Sequence, residues 1–356
     1  MSTTRPDARL GALLFLGVAG YAGAAYAQMP PATVDQCRSI AANIERLACY
    51  DAFANRANDA RREAAPAVAA ESAAPSATAH ADSDVATPVA LSMFDESWGF
   101  DPSSAPYEVR FHRANYVLLA RYSDDVNGAP FSPVFQPAGG DQNDLSNTEA
   151  KFQFSFKARL WATDDRRWGV WAAYTQQSQW QLYNGDVSRA FRDTNYMPEV
   201  LVSYKLAIDL GGGFSWNLLS AGFVHQSNGR SDVLSRSWNR LFAEFGVERD
   251  SLALSTKVWY RLPEDAGTDD NPDITDYYGH GEISALYRWR GNSFAAMARG
   301  NLSTGKGAVQ LGWFSPPLLG PLRGYVQAFS GYGETLIDYN WKQSTIGIGI
   351  ALSDGF

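Results

Sequence analysis

The sequence predicts an all-β fold: a twelve-stranded antiparallel transmembrane β-barrel with a short helical periplasmic extension at its amino terminus. Three observations predict it. From about residue 100 onward, apolar and polar side chains alternate with period two, and alternate residues of a strand face opposite sides of a sheet. No run of about 18 apolar residues follows the amino-terminal leader, so no transmembrane helix is available. The connections between alternating segments are long and short by turns, as in a barrel with long external loops and tight periplasmic turns.

The elements follow in chain order. Residues 1–27 read as a secretory leader. Arg5 and Arg9 precede the apolar stretch Leu10 to Ala19, and Ala25-Tyr26-Ala27 is a small-x-small cleavage site before Gln28. A membrane anchor would share the charges but needs a longer apolar run. Residues 28–63 are predicted helical and contain both cysteines, Cys37 and Cys49. One straight helix would hold them about 18 Å apart, too far to bridge. Either a turn near Ala41 to Arg46 permits a disulfide, or both remain free thiols. Residues 64–90, rich in Ala, Pro, Ser and Thr, are a linker, and 91–356 form the barrel.

Within 150–160, Phe152, Phe154, Phe156, Ala158 and Leu160 share one face, and Lys151, Gln153, Ser155, Lys157 and Arg159 the other. An oily face opposite a charged one suits lipid outside and a wet lumen inside. Such segments fall at 107–121, 149–163, 167–181, 197–208, 215–227, 237–247, 251–262, 278–290, 293–302, 306–315, 322–331 and 341–353. Trp161, Trp168, Trp180 and Trp259 lie near segment ends and are expected in interfacial girdles. Ile346, Ile348, Ile350, Leu352 and the final Phe356 share one face, as in a closing strand of an outer-membrane barrel. Closure itself is required, because an open sheet edge in lipid leaves backbone groups unpaired.

A net charge of -8 argues against a nucleic-acid partner, and two cysteines exclude a multi-cysteine metal site. The chemistry concentrates at 215–240. Leu219, Ala221, Phe223, His225 and Ser227 occupy the outward face of one strand, and Asn239, Leu241, Ala243 and Phe245 that of the next. Polar groups facing lipid are costly. A polar rim at headgroup depth would explain any one of the three. A nucleophile, a base and an orienter together predict covalent acyl transfer: Ser227 attacks, His225 takes its proton, and Asn239 holds the imidazole. The base must be neutral to act, so activity should rise through neutral pH. His80, His112 and His280 are assigned no role.

The run His225-Gln226-Ser227-Asn228-Gly229-Arg230-Ser231-Asp232, followed by Ser235-Arg236-Ser237-Trp238-Asn239-Arg240, closely resembles the outer-membrane phospholipase A family. So do Phe191-Arg192-Asp193-Thr194-Asn195-Tyr196, Thr268-Asp269-Asp270-Asn271-Pro272-Asp273-Ile274-Thr275 and the stretch from Ser330 to Asn340. The resemblance covers about residues 100–356 and leaves 28–90 outside the family core. It implies phospholipase A1, A2 and lysophospholipase activity on membrane phospholipids, in the bacterial outer membrane. It also implies Ser227 as nucleophile, His225 as base, Asn239 as orienter, and calcium-dependent homodimerisation. The calcium ligands it implies are Arg230 through its carbonyl, Ser235, Asp270, and Ser188 from the partner subunit. Val187-Ser188-Arg189-Ala190 departs from the family's pattern. Hard oxygens of this kind suit calcium. Gln176 shares an apolar face with Val170, Ala172 and Tyr174, and the resemblance implies a membrane-buried dimer contact there. The alternatives are a passive pore, for which Lys157, Arg159, Arg240 and Glu244 would leave little room, and an inactive structural barrel.

Overall fold

The computed structural model describes residues 37–40, 46, 49–50, 91–128, 130, 145–186 and 189–355. The chain divides into two units, Met1–Asp84 and Val85–Phe356. In the first, Cys37 and Cys49 form a disulfide with a Cα–Cα distance of 5.5 Å, which decides for the bridge over free thiols. The predicted leader at 1–27, the linker at 64–90 and the terminal Phe356 lie outside the described residues.

The second unit is a closed barrel. Its strands are β1 (Val109–Phe111), β2 (Asn115–Ser123), β3 (Thr148–Ala162), β4 (Trp168–Trp180), β5 (Phe191–Gly211), β6 (Phe214–Ser227), β7 (Ser237–Arg249), β8 (Leu252–Arg261), β9 (Gly281–Trp289), β10 (Asn292–Asn301), β11 (Lys306–Leu319), β12 (Leu322–Tyr332) and β13 (Lys342–Ser353). Each of β2 to β13 pairs antiparallel with its chain neighbours, and β13 pairs with β2 to close the ring. Among the described residues no helix is long and apolar enough to cross a membrane.

Some boundaries differ from the expected ones. The segment at 107–121 divides. β1 pairs with β3, the chain breaks at residues 112–114, and only then does β2 begin. β5, the expected segment at 197–208, starts at Phe191, because Phe191 to Tyr196 already pair with β4. Tyr278 belongs to a short helix, α2 (Ile274–Tyr278), and not to a strand. Tight turns lie at one end. Between β9 and β10, Arg290 and Gly291 both adopt positive φ (48° and 78°), the twist that a two-residue hairpin turn requires.

The alternation places apolar side chains outward. Phe154, Phe156, Leu160, Val200, Val202, Leu241, Ile346 and Ile348 are exposed, while Lys151, Ser155, Lys157 and Arg159 are buried. The inward face is thus lined by buried charged and polar side chains. Trp161 and Trp168 face outward as expected, but Trp259 does not. Its indole is buried, donates to the Gly279 carbonyl at 3.0 Å and packs edge-on against Trp238. The Trp259 NH finds that acceptor inside the wall, whereas Tyr260 takes the outward position.

The tight-turn end is capped by α1 (Met93–Trp98), which the alternation did not foretell. Ser92 caps its first turn, and the Phe94 N–H donates to Glu248 at 3.2 Å. Trp98 lies under the buried Lys157 ammonium, 3.3 Å from its ring centroid, a cation–π contact inside the barrel. Toward the loop end the lumen holds an ion network. Arg121 bonds Glu149 at 2.8 Å and Glu334. Lys151 bonds Glu334 at 2.9 Å, and Arg192 bridges Glu149 and Asp338 at 2.7 Å each.

Glu334 sits in the loop after β12. Burial alone would raise its carboxyl pKa, but Arg121 and Lys151 hold it below the ordinary carboxylate range. Glu334→Ala would leave Lys151 buried without its anion, at a cost of about 3–5 kcal/mol; urea unfolding of the reconstituted barrel would read this. Because the folded carboxyl is depressed, its contribution is fully present above the unfolded carboxylate pKa. It is lost as pH falls toward the folded one. The wild type should therefore lose stability on acidification more steeply than the variant.

Candidate active site

β6 and β7 set the site. Their register places His225 opposite Asn239 and Ser227 opposite Ser237. Pleating turns Val224, Gln226, Trp238 and Arg240 into the barrel, where they are buried. It leaves Phe223, His225 and Ser227 on the outer wall, with Asn239 and Leu241 beside them. Phe223 and Leu241 are exposed, and the three polar residues are half-buried. The His225 Nδ1 lies 2.9 Å from the Asn239 Oδ1. A carboxamide oxygen only accepts, so this contact keeps the imidazole proton on Nδ1 and leaves the Nε2 lone pair free. Ser227 is two residues along the same strand face, flanked by Ser237 on β7 and by Tyr196 on β5.

The connection after Ser227 is clamped from within. Asn228 is buried and turns inward. Its Oδ1 accepts from the Arg236 N–H at 2.9 Å and the Arg230 N–H at 3.3 Å. Its Nδ2 donates to the Leu234 carbonyl at 2.8 Å and to Asp193 at 3.3 Å. One side chain thus fastens both ends of the loop and ties it to β5. Gly229, at φ 63°, makes the bend beside the Tyr196 ring.

Of the residues expected to hold calcium, two meet. The Ser235 hydroxyl donates to Asp270 Oδ2 at 2.5 Å. Asp270 enters no ion pair among the described residues, whereas the adjacent Asp269 pairs with Arg261 at 2.6 Å. A hydroxyl and an uncommitted carboxylate brought together are hard donors of the kind a calcium ion takes. The Arg230 guanidinium donates to the Phe191 and Arg192 carbonyls, so the charge is turned onto β5. Among the described residues no group of three or more His, Cys, Asp or Glu could hold a metal. A cation bound here by the described residues would have at most two such ligands and would complete its shell with hydroxyl, carbonyl and water oxygens. Ser188 lies outside the described residues.

Gln176 lies on the outer face of β4, opposite Phe154 on β3 and Tyr196 on β5. Its Oε1 accepts from Tyr174 at 3.1 Å and its Nε2 donates to Ser178 at 3.3 Å. His112 belongs to the lumen, 3.3 Å from Glu199.

Three contributors escaped the sequence reading. Glu264 accepts from Asn239 Nδ2 at 3.2 Å. Asn228 is the clamp just described. Asn271, fully buried, accepts the Ser237 N–H at 3.0 Å and fixes the start of β7. Glu264 and Asn271 sit in an acidic stretch that reads as a solvated loop. Only Asn228 carried a signal: it precedes a glycine and falls at an inward position of the alternation.

Comparison with known proteins gives consistent results. A family model described as phospholipase A1 matches residues 98–352. The Escherichia coli protein named phospholipase A1 is 40% identical over 254 residues, 70% of this chain and 83% of its own. A relative from Neisseria meningitidis serogroup B, named for phospholipase A1, is 37% identical over 359 residues, 90% of this chain and 91% of its own. That alignment extends beyond the barrel into the amino-terminal region. Among solved structures, outer membrane phospholipase A from Escherichia coli matches with a TM-score of 0.63 at 35% identity, over 70% of this chain and 99% of that one. The Salmonella typhi outer membrane phospholipase, crystallised as a dimer with bound calcium, matches with a TM-score of 0.66 at 33% identity, over 73% and 98%.

Proposed function

This chain belongs to the phospholipase A1 family, and we propose that it hydrolyses acyl ester bonds of membrane phospholipids and lysophospholipids in the outer membrane, as a calcium-dependent homodimer. The observation that carries the reading is the 2.9 Å contact between His225 and Asn239 on the outer wall, beside Ser227. A soluble active site would face a cleft; this one faces the layer where its substrate lies.

The Ser227 oxygen attacks the acyl carbonyl carbon as His225 Nε2 takes its proton. The imidazolium so formed keeps its Nδ1–H on Asn239. The tetrahedral intermediate collapses when Nε2 returns the proton to the departing alcohol oxygen, leaving an acyl-Ser227 ester. Water then enters by the same base and releases the fatty acid. Ser235, Asp270, the Arg230 carbonyl and Ser188 of the partner subunit would hold calcium. When bound, the ion supplies positive charge near the developing oxyanion.

The alternative, a passive pore, is disfavoured by the buried lumen charges and by α1 at the turn end. Fatty-acid release from phospholipid in mixed micelles, with calcium or with chelator, separates the two. Release with calcium and little with chelator is expected. No release in either, together with conductance across planar bilayers, would refute the hydrolase.

Gln176 supports a dimer contact on β4. Its amide sits among aromatic side chains facing lipid, where a hydrogen bond to a second copy has little competition from water. Gln176→Ala should weaken self-association by about 0.6–1.7 kcal/mol, roughly three- to twentyfold. Analytical ultracentrifugation in detergent with calcium would measure it, and an unchanged dimerisation constant would remove Gln176 from the interface.

A further inference from the structure

We infer that Glu264 is a positioning residue of the hydrolytic site, fixing which end of the Asn239 carboxamide faces His225. The inference rests on the Ser227, His225 and Asn239 reading above. A carboxamide has an acceptor at one end and two donors at the other, in nearly the same shape. Turned one way, Asn239 offers Oδ1 to the Nδ1–H of His225, and Nε2 remains a base. Turned the other way, it offers an N–H; Nδ1 must then accept, the ring proton moves to Nε2, and Ser227 loses its base. Packing distinguishes the two poorly, because N and O are alike in size.

Glu264 distinguishes them by charge. An ionised carboxylate accepts and never donates. Its Oε1 lies 3.2 Å from Asn239 Nδ2, so the flipped carboxamide would bring an oxygen against it. The placement is built into the chain. The Leu262 N–H donates to the Asn239 carbonyl at 2.8 Å, which pins the exit of β8 to that residue and brings Glu264, two positions on, to the amide. Glu264 is half-buried at that point. Its negative charge also reaches, through the amide, the imidazolium that forms in the reaction, which a neutral orienter by itself stabilises weakly.

The test uses the full chain in mixed micelles at saturating calcium, comparing wild type, Glu264→Gln, Asn239→Ala and the double variant. Gln can present an N–H and so tolerates the flipped amide. Glu264→Gln should lower kcat about tenfold with KM unchanged, the size of one lost charge-assisted hydrogen bond. In the Asn239→Ala background the same change should do nothing further. The imidazole ¹⁵N spectrum should show His225 protonated on Nδ1 in the wild type and a tautomer mixture in Glu264→Gln.

A kcat within twofold of wild type would overturn the inference. So would an equal loss in the Asn239→Ala background, or full recovery at higher calcium, which would place Glu264 with the metal. Failure of the underlying reading looks different: Ser227→Ala would then keep its turnover whatever Glu264 does.

Discussion

Ser227→Ala is expected to lower phospholipid turnover by about 10⁴- to 10⁶-fold, the range found when the nucleophile of a hydrolytic triad is removed. The change takes one oxygen from a half-buried residue at the rim of β6, next to Ser237 and Tyr196, and no core contact depends on it. Circular dichroism and thermal unfolding should match the wild type. His225→Ala should cost a similar factor. The double variant should be no slower than either, because nucleophile and base act as a unit. A serine-directed fluorophosphonate should label the wild type and leave Ser227→Ala unlabelled. Turnover persisting in a folded Ser227→Ala protein would transfer the nucleophile elsewhere and dismantle the proposed mechanism.

The second large effect concerns calcium. Chelation is expected to bring hydrolysis near background, and Asp270→Ala to raise the calcium concentration for half-maximal activity by more than about tenfold. Partners that merely orient a ligand contribute 10–100-fold to metal affinity (about this range), so the sole carboxylate of the set should contribute at least as much. Asp270 meets Ser235 at 2.5 Å and, among the described residues, pairs with no arginine, unlike Asp269. Ser235→Ala removes a neutral donor and should shift the midpoint less. Saturating calcium should recover most of kcat in both variants, since neither residue touches the imidazole. Chelator-resistant turnover, or equal midpoints in all three proteins, would detach this pair from calcium.

Much of this protein was readable along the chain. Period-two alternation assigned Phe154 and Leu160 to the outside and Lys151 and Lys157 to the inside, because a strand offers only two faces. The same parity put His225, Ser227 and Asn239 on one wall, since each shares its strand's outward face with apolar neighbours. What parity cannot state is where a segment stops. The break at 112–114, the early start at Phe191 and the helix at Ile274–Tyr278 are decided by pairing with neighbours remote in sequence. Nor does it say what an inward side chain meets. Trp259 went inside because the Gly279 carbonyl accepts its N–H, and the charges buried toward the loop end are tolerated because Arg121, Glu149, Arg192 and Glu334 neutralise one another across four segments.

The sequence by itself determined the barrel, its inside and outside, and the facing of the serine, the histidine and the asparagine; these follow from local periodicity, which each strand carries alone. The tertiary structure alone decided the cap at α1, the Asn228 clamp, the meeting of Ser235 with Asp270, and the carboxylate of Glu264 behind Asn239. Apart from the local bonds within the Asn228 clamp, those contacts join residues 25 to more than 150 positions apart. A contact of that reach depends on how the whole sheet closes, and no stretch of chain encodes it by itself.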